Sequence, residues 1–410
     1  MLRYDVIVCG AGPAGAMAAY RLAKSGLKVA LLEKHLLPRH KTCGGGMPVT
    51  MERCLADVDT SALIESEVIF MRHSWKFEDS ILAAINLPGS GERLKLWMVQ
   101  RHLFDFALAQ HAAAAGAELK DGLAVRSVEP NGNHVVVRAQ WIKTNGEVAK
   151  GKAFNAIADY VIGADGANGV TVKATNLRQN PPMAIAMEVE YPHVWGTGHP
   201  HLSSNTLHLD YGAIGDGYAW VFPKKNHLNV GAGLFRMDRT VRRSESTIGL
   251  TLKQVICNYL TQLHVPFDCS QMRFHAHPLP LWRGKEPRHT TDGRILLVGD
   301  AAGLVGPLFG DGLLHGVKSG LIAAECIKNG TSQEYTNCIH DEFAANFDAA
   351  LKLSRFFYQW PYLCYKFGVK QERATPIAAR LLAGELGFQE MGDRFMQRMK
   401  QQMTGLMSVT

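Results

Sequence analysis

No two cysteines in this chain are spaced as a CxxC pair, and none falls at a metal-ligand spacing. The eight present (Cys9, Cys43, Cys54, Cys257, Cys269, Cys326, Cys338 and Cys364) are scattered over 410 residues. That pattern argues against a cysteine-held metal and against a disulfide framework. It leads us to expect reduced thiols in a cytoplasmic compartment. No apolar run approaches the roughly 20 residues that cross a bilayer. The start, MLRYDVIVCG, lacks the basic segment, apolar core and cleavage site of a signal peptide. A membrane is therefore expected to be met peripherally, from its surface. Basic clusters interleaved with aromatics are missing, which excludes nucleic acid as the expected partner. Internal repeats and low-complexity segments are also lacking.

What is present reads as a soluble globular chain, 47% hydrophobic and 20% charged. Its length predicts two or three structural units. The net charge of +7 favours an anionic cofactor, a phosphorylated substrate or an acidic membrane surface. Residues 4–9, YDVIVC, form an apolar run suited to a buried parallel strand. Glycines follow, then a helical AMAAYRLAKSG and a second strand, KVALLEK. Strand, glycine-rich turn, helix and strand make one right-handed crossover unit. Alternating segments between 183 and 235 predict an antiparallel sheet, GRILLVGDAAG returns to the parallel pattern, and the chain beyond about 330 reads as helical.

The turn in the crossover is Gly10-Ala11-Gly12-Pro13-Ala14-Gly15. Gly10 permits the bend, Gly12 lets a pyrophosphate approach the backbone, and Gly15 lets helix and sheet pack closely. The helix N-terminus offers N–H groups to phosphates. Glu33, followed by Lys34, ends the second strand where a ribose would be bound. Two later strands end in small-residue turns, VIGADGANG with Asp165, and VGDAAGLVGPLFGDG with Asp300, Gly310 and Gly312. A helix is predicted from Leu313. Its N–H groups are placed to stabilise negative charge.

In this order the motifs resemble flavoproteins with the p-hydroxybenzoate hydroxylase-type FAD fold. The resemblance implies an α/β protein with a Rossmann-like FAD-binding domain, an inserted antiparallel β-sheet substrate domain and C-terminal helices. It implies FAD contacts from the first motif, Glu33, Asp300 and Arg101, with Ala124 or Val125 beside the adenine. We expect residues 1–75, 98–178 and 285–330 in the FAD domain, 76–97 and 179–284 in the substrate domain, and 331–410 in the helical region. Cys43-Gly44-Gly45-Gly46, after basic Arg39 and Lys41, is similar to a loop of the geranylgeranyl reductase family. So is Tyr218-Ala219-Trp220-Val221-Phe222-Pro223, followed after seven residues by Gly231-Ala232-Gly233. That segment lines the isoprenoid tunnel in the family. Where the family has glutamate between its late glycines, this chain has Asp311.

The implied activity is saturation of isoprenoid carbon–carbon double bonds by hydride transfer from reduced FAD. Cys43 and His315 are the candidate catalytic side chains, and the three glycines are expected to let their loop lie against the FAD. No second glycine-rich fingerprint follows a strand, so the electron donor is either NADPH bound without its own Rossmann domain or a ferredoxin. The aromatic segment FFYQWPYLCYKF, residues 356–367, reads either as helix packing or as a cover for the tunnel mouth or a membrane contact. The first rival reading is a flavin monooxygenase or halogenase on the same fold, with Lys76 as its lysine. The second is a non-catalytic flavoprotein that carries an isoprenoid.

Overall fold

The computed structural model describes residues 1–55, 57–91, 93–142, 148–178, 184–196, 199–235 and 245–391. The first sheet runs in the order Glu118–Asp121, Val29–Glu33, Leu2–Cys9, Val148–Gly163, His134–Ile142, Leu123–Asn131. Leu2–Cys9 pairs in parallel with Val29–Glu33 on one side and Val148–Gly163 on the other. Val29–Glu33 is buried throughout, because helices pack on one face and residues of Leu123–Asn131 and His134–Ile142 pack on the other. Val148–Gly163 changes partner along its length. Its first part pairs antiparallel with His134–Ile142, and its end pairs in parallel with Ile295–Leu297. Cys9, Glu33, Gly163 and Leu297 therefore finish at one edge, the edge where open α/β sheets bind ligands.

Helices Pro13–Lys24 and Leu313–Lys328 cross above that edge. Gly320 makes the crossing close: a Cβ there would lie 2.1 Å from the Ala14 carbonyl oxygen.

The second sheet runs His275–Leu279, Ala184–Pro192, His227–Phe235, Gly217–Pro223, Thr206–Asp210, Phe70–Trp75, Glu78–Ala84. Helix Glu245–Gln262 covers one face, burying Ile248, Leu252, Ile256 and Leu260 with Val189, Val221 and Val230. The other face looks back towards the first sheet. A three-stranded ribbon of Gly46–Pro48, Leu96–Val99 and Ile64–Val68 stands between them.

Two expectations are corrected. Phe70–Trp75, expected in the FAD domain, pairs in parallel with Thr206–Asp210 and belongs to the second sheet. A local apolar pattern specifies that a strand forms, but not the edge it joins. Cys257 and Cys269 form a disulfide, while the other six cysteines are free thiols. Only the turn that follows helix Glu245–Gln262 brings these two sulfurs together. C-terminal helices are described at Tyr335–Gln359, Pro361–Cys364 and Ala374–Leu382, and residues 392–410 of the expected helical region lie outside the described residues.

Candidate functional site

A cavity of about 1300 Å³ extends from the first glycine-rich turn, between the sheets, to the C-terminal helices. At its inner end Gly10 has φ +111°, and a Cβ there would sit 2.3 Å from the Ala164 oxygen. At Gly15 a Cβ would sit 2.0 Å from the Gly10 oxygen. This crowding keeps the turn tight and leaves Gly12, Pro13 and Ala14 on the cavity wall. No side chain caps helix Pro13–Lys24, so its first N–H groups remain free for an anion. Glu33 is buried and oriented by the Ala11 and His35 N–H groups, each at 3.1 Å, and by Arg39 Nε at 3.3 Å. Lys34 beside it is exposed. Ala124 and Val125 lie in the outer strand Leu123–Asn131, and none of these three lines the cavity.

A second uncapped helix N-terminus converges on the same space. Gly310, Asp311, Gly312 and Leu313 line the cavity at the start of helix Leu313–Lys328, and Gly310 has φ +70°. Asp300 lines it as well, 3.7 Å from both Lys41 Nζ and His277 Nε2. Burial acts to raise the Asp300 pKa. The neighbouring His277 ring and the Lys41 and Arg101 charges outweigh it and hold the carboxylate far below its usual range. Arg101, buried and on the cavity wall, grips Asp105 through Nε and Nη2 at 2.8 and 2.9 Å.

Two expected site residues are turned elsewhere. Both carboxylate oxygens of Asp165 accept hydrogen bonds from Thr171, at the start of helix Val170–Thr175, so this aspartate acts as a brace for that helix. His315 bonds Asp311 at 2.8 Å and packs edge-on against Phe343 and Phe347. It stands behind Asp311 and does not line the cavity.

The three glycines after Cys43 are crowded by protein. A Cβ on Gly44 would lie 2.7 Å from the Phe222 ring, and one on Gly46 would lie 3.2 Å from it. Gly45 has φ +67°, and its Cβ would lie 2.1 Å from the Val99 oxygen. The loop thus lies on the aromatic strand Gly217–Pro223 while its other side lines the cavity. The expected alternation holds along that strand, where Tyr218, Trp220 and Phe222 all line the cavity. The Tyr218 hydroxyl donates to the Phe309 carbonyl at 2.5 Å. Pro223 does not line the cavity, and its carbonyl accepts from Ser66 at 2.7 Å. Gly231 makes room for the Trp220 ring, which a Cβ would meet at 2.1 Å, and Gly233 lines the cavity directly.

Sequence reasoning missed the groups that hold this loop. Glu188, buried and on the cavity wall, accepts from the Cys43 N–H through Oε1 and from Asn229 Nδ2 through Oε2, both at 3.0 Å. Asn229 in turn accepts from Trp220 Nε1 at 2.8 Å. Burial raises the Glu188 pKa, against the opposing pull of Asn229, the Cys43 N–H and Lys224. Lys224 Nζ, also buried, donates to the Gly44 oxygen at 2.5 Å and the Val99 oxygen at 2.9 Å. Glu188 sits on the alternate face of a half-buried strand, where polar residues normally meet water. Lys224 directly follows the aromatic motif, and that adjacency was the available signal.

Burial lowers the Lys224 pKa to about 8. An unfolded lysine titrates near ~10.4, so between these values the unfolded chain binds more protons and stability rises with pH. The penalty is present in full below the folded value and is relieved as pH climbs through the window, by about 3 kcal/mol in total. Thermal unfolding of the protein and of Lys224→Met should therefore differ in pH dependence between about pH 8 and about pH 10.4. The stabilising trend should be weaker in the variant, and parallel curves would refute it.

The arrangement fits FAD. Two uncapped helix N-termini suit anionic groups, the Glu33 carboxylate ends the second strand, and the chamber beyond is apolar and aromatic. Residues 3–325 match the FAD binding domain family. The chain is 31% identical to the chloroplastic geranylgeranyl diphosphate reductase of Oryza sativa subsp. japonica, over 80% of this chain and 67% of the relative. It is 30% identical to the digeranylgeranylglycerophospholipid reductase of Methanocaldococcus jannaschii, over 78% and 76%. Among solved structures it is similar to a geranylgeranyl bacteriochlorophyll reductase-like protein from Thermoplasma acidophilum, with a TM-score of 0.69 at 22% identity, covering 93% and 92% of the two chains. The flavin-dependent brominase Bmp2 gives 0.66 at 19%, covering 93% and 94%. At such identities these two structural likenesses speak for the fold alone.

Proposed function

Because the chain belongs to the geranylgeranyl reductase family of FAD-binding proteins, we propose that it saturates isoprenoid carbon–carbon double bonds. The observation that carries this reading is the continuity of one cavity from the dinucleotide turn into a chamber walled by Tyr218, Trp220, Phe222, Leu207, Leu209 and Met71. A long branched hydrocarbon suits that lining, and its burial supplies binding energy of roughly 25 cal/mol per Å².

When bound and reduced, FAD supplies a hydride to one alkene carbon. The protein's own part is to bind, orient and protonate. Gly12, Pro13 and the free N–H groups of helix Pro13–Lys24 would hold the pyrophosphate, Glu33 the ribose, and Asp300 with Arg101 the middle of the cofactor. Gly310, Gly312 and Leu313 form a helix N-terminus that would favour negative charge on a flavin ring held beside it. The aromatic strand and the Cys43 loop align the alkene and exclude water. Cys43 lies on the wall beside Glu188, and its role in this reading is to shape the reacting end of the chamber. Glu188 delivers the proton to the second alkene carbon, because it is the buried carboxyl that both lines the chamber and has its acid form favoured. His315 positions Asp311. Reducing equivalents reach FAD from NADPH or a ferredoxin.

The halogenase reading loses its lysine, since Lys76 is exposed and off the cavity wall. The test is anaerobic. The protein is reduced with dithionite, given geranylgeranyl diphosphate, and the products are weighed. A gain of about two mass units per saturated bond is expected, one hydride and one proton. A product seen only after oxygen is admitted would overturn the reading in favour of oxygenation.

A further inference from the structure

Among the described residues, the exposed large aromatic side chains are Phe356, Trp360, Tyr362 and Phe367, 58%, 50%, 44% and 67% accessible. All four fall within twelve residues, and Leu363, 48% accessible, lies among them. The segment turns a corner. Helix Tyr335–Gln359 ends, Pro361 starts a short helix to Cys364, and a single wide turn follows over Tyr365–Val369. Beneath the corner, Tyr365 is fully buried and bonded to the backbone oxygen of Asp79, and Trp75 meets Tyr362 edge-on at 5.1 Å. The patch is therefore mounted on a fixed platform.

Two further observations say what covers it. Phe356, Leu363 and Phe367 are at once exposed and on the wall of the isoprenoid chamber, so the chamber opens through this patch. Charge along this segment is mainly basic. Between residues 349 and 373 stand Lys352, Arg355, Lys366, Lys370 and Arg373, against the single acid Glu372. Lys370 is paired with Asp79, Lys366 lies over the Tyr362 ring at 5.7 Å, and the segment keeps a net positive charge. No helix among the described residues is long and apolar enough to cross a membrane. Aromatic side chains flanked by basic ones are the composition that settles at the headgroup level of an anionic bilayer.

We propose that the corner formed by residues 356–367 docks on the surface of an anionic lipid bilayer, with its rings in the interface, so that the isoprenoid chain passes from the membrane directly into the chamber. The proposal rests on the reductase reading for its substrate, but the docking itself is measured without one. Trp360 and Tyr362 do not line the cavity, so the double variant Trp360→Ser/Tyr362→Ser separates docking from binding in the chamber.

FAD-loaded protein and variant are co-sedimented with vesicles of phosphatidylcholine alone and of phosphatidylcholine with phosphatidylglycerol. The variant's fold is checked by flavin content and circular dichroism. The protein is expected to favour the anionic vesicles and to be released by salt. The variant is expected to bind at least tenfold more weakly, with unchanged turnover of a short, water-soluble isoprenoid diphosphate. Failure to bind either vesicle overturns the proposal. So does equal binding by the variant, or self-association that covers the patch. Binding without turnover of any isoprenoid would count against the reductase reading alone.

Discussion

Glu188→Gln should lower the rate of alkene saturation by roughly 100- to 10,000-fold, the span over which a general acid contributes. Glutamine keeps an oxygen for the Cys43 N–H but has no proton to give. FAD content and the rate of FAD reduction should therefore stay near wild type, and only reoxidation by the alkene should slow. Stopped-flow measurement of the two half-reactions makes this separation. The pH profile gives the sign. An acid must be protonated to act, so the wild-type rate should fall as pH rises through the raised Glu188 pKa, and the variant should lose that limb. The groups acting on Glu188 are His40, 3.8 Å away, the Cys43 N–H, Asn229, Lys224 and the like charge of Glu190, which adds to the rise. If both half-reactions slow together, Glu188 is only a brace for the loop.

The next largest effect is expected at Gly45. Alanine there meets the Val99 oxygen at 2.1 Å and must adopt φ +67°. The backbone term alone costs roughly 1–2 kcal/mol, and with the clash the loss should reach about 3 kcal/mol. The neighbouring Gly46 has no left-handed φ, and its Cβ would meet the edge of the Phe222 ring at 3.2 Å and the flexible Met98 methyl at 3.4 Å. Gly46→Ala should stay within about 1 kcal/mol of wild type. Thermal unfolding of the pair checks the contrast. Equal losses would mean that the loop yields, and that its glycines serve the cofactor more than the packing.

That contrast also marks the limit of reading the site from the chain. The run of glycine after Cys43 announced a close approach, and the approach is there. Its nearest partners are the Phe222 ring, the Val99 carbonyl and Lys224, where the sequence suggested FAD alone. Glycine records that space is short and cannot record what fills it. Asp165 and His315 show the converse. Each stands in a motif with a ligand-binding look, yet Thr171 takes both oxygens of Asp165, and His315 faces Asp311, Phe343 and Phe347.

The sequence by itself determined the crossover unit with its glycine turn and acid, the later GD turn, and the shared face of Tyr218, Trp220 and Phe222. Each of these depends on residues within one turn or one strand, where spacing is geometry. Tertiary structure alone decided that Phe70–Trp75 joins the second sheet, that Cys257 meets Cys269, and that Glu188 and Lys224 clamp a loop 145 and 180 residues away in the chain. It also decided that the aromatic corner frames the mouth of the chamber. These are contacts between segments remote in sequence. A buried carboxylate or ammonium acquires its chemistry from whatever the fold presses against it.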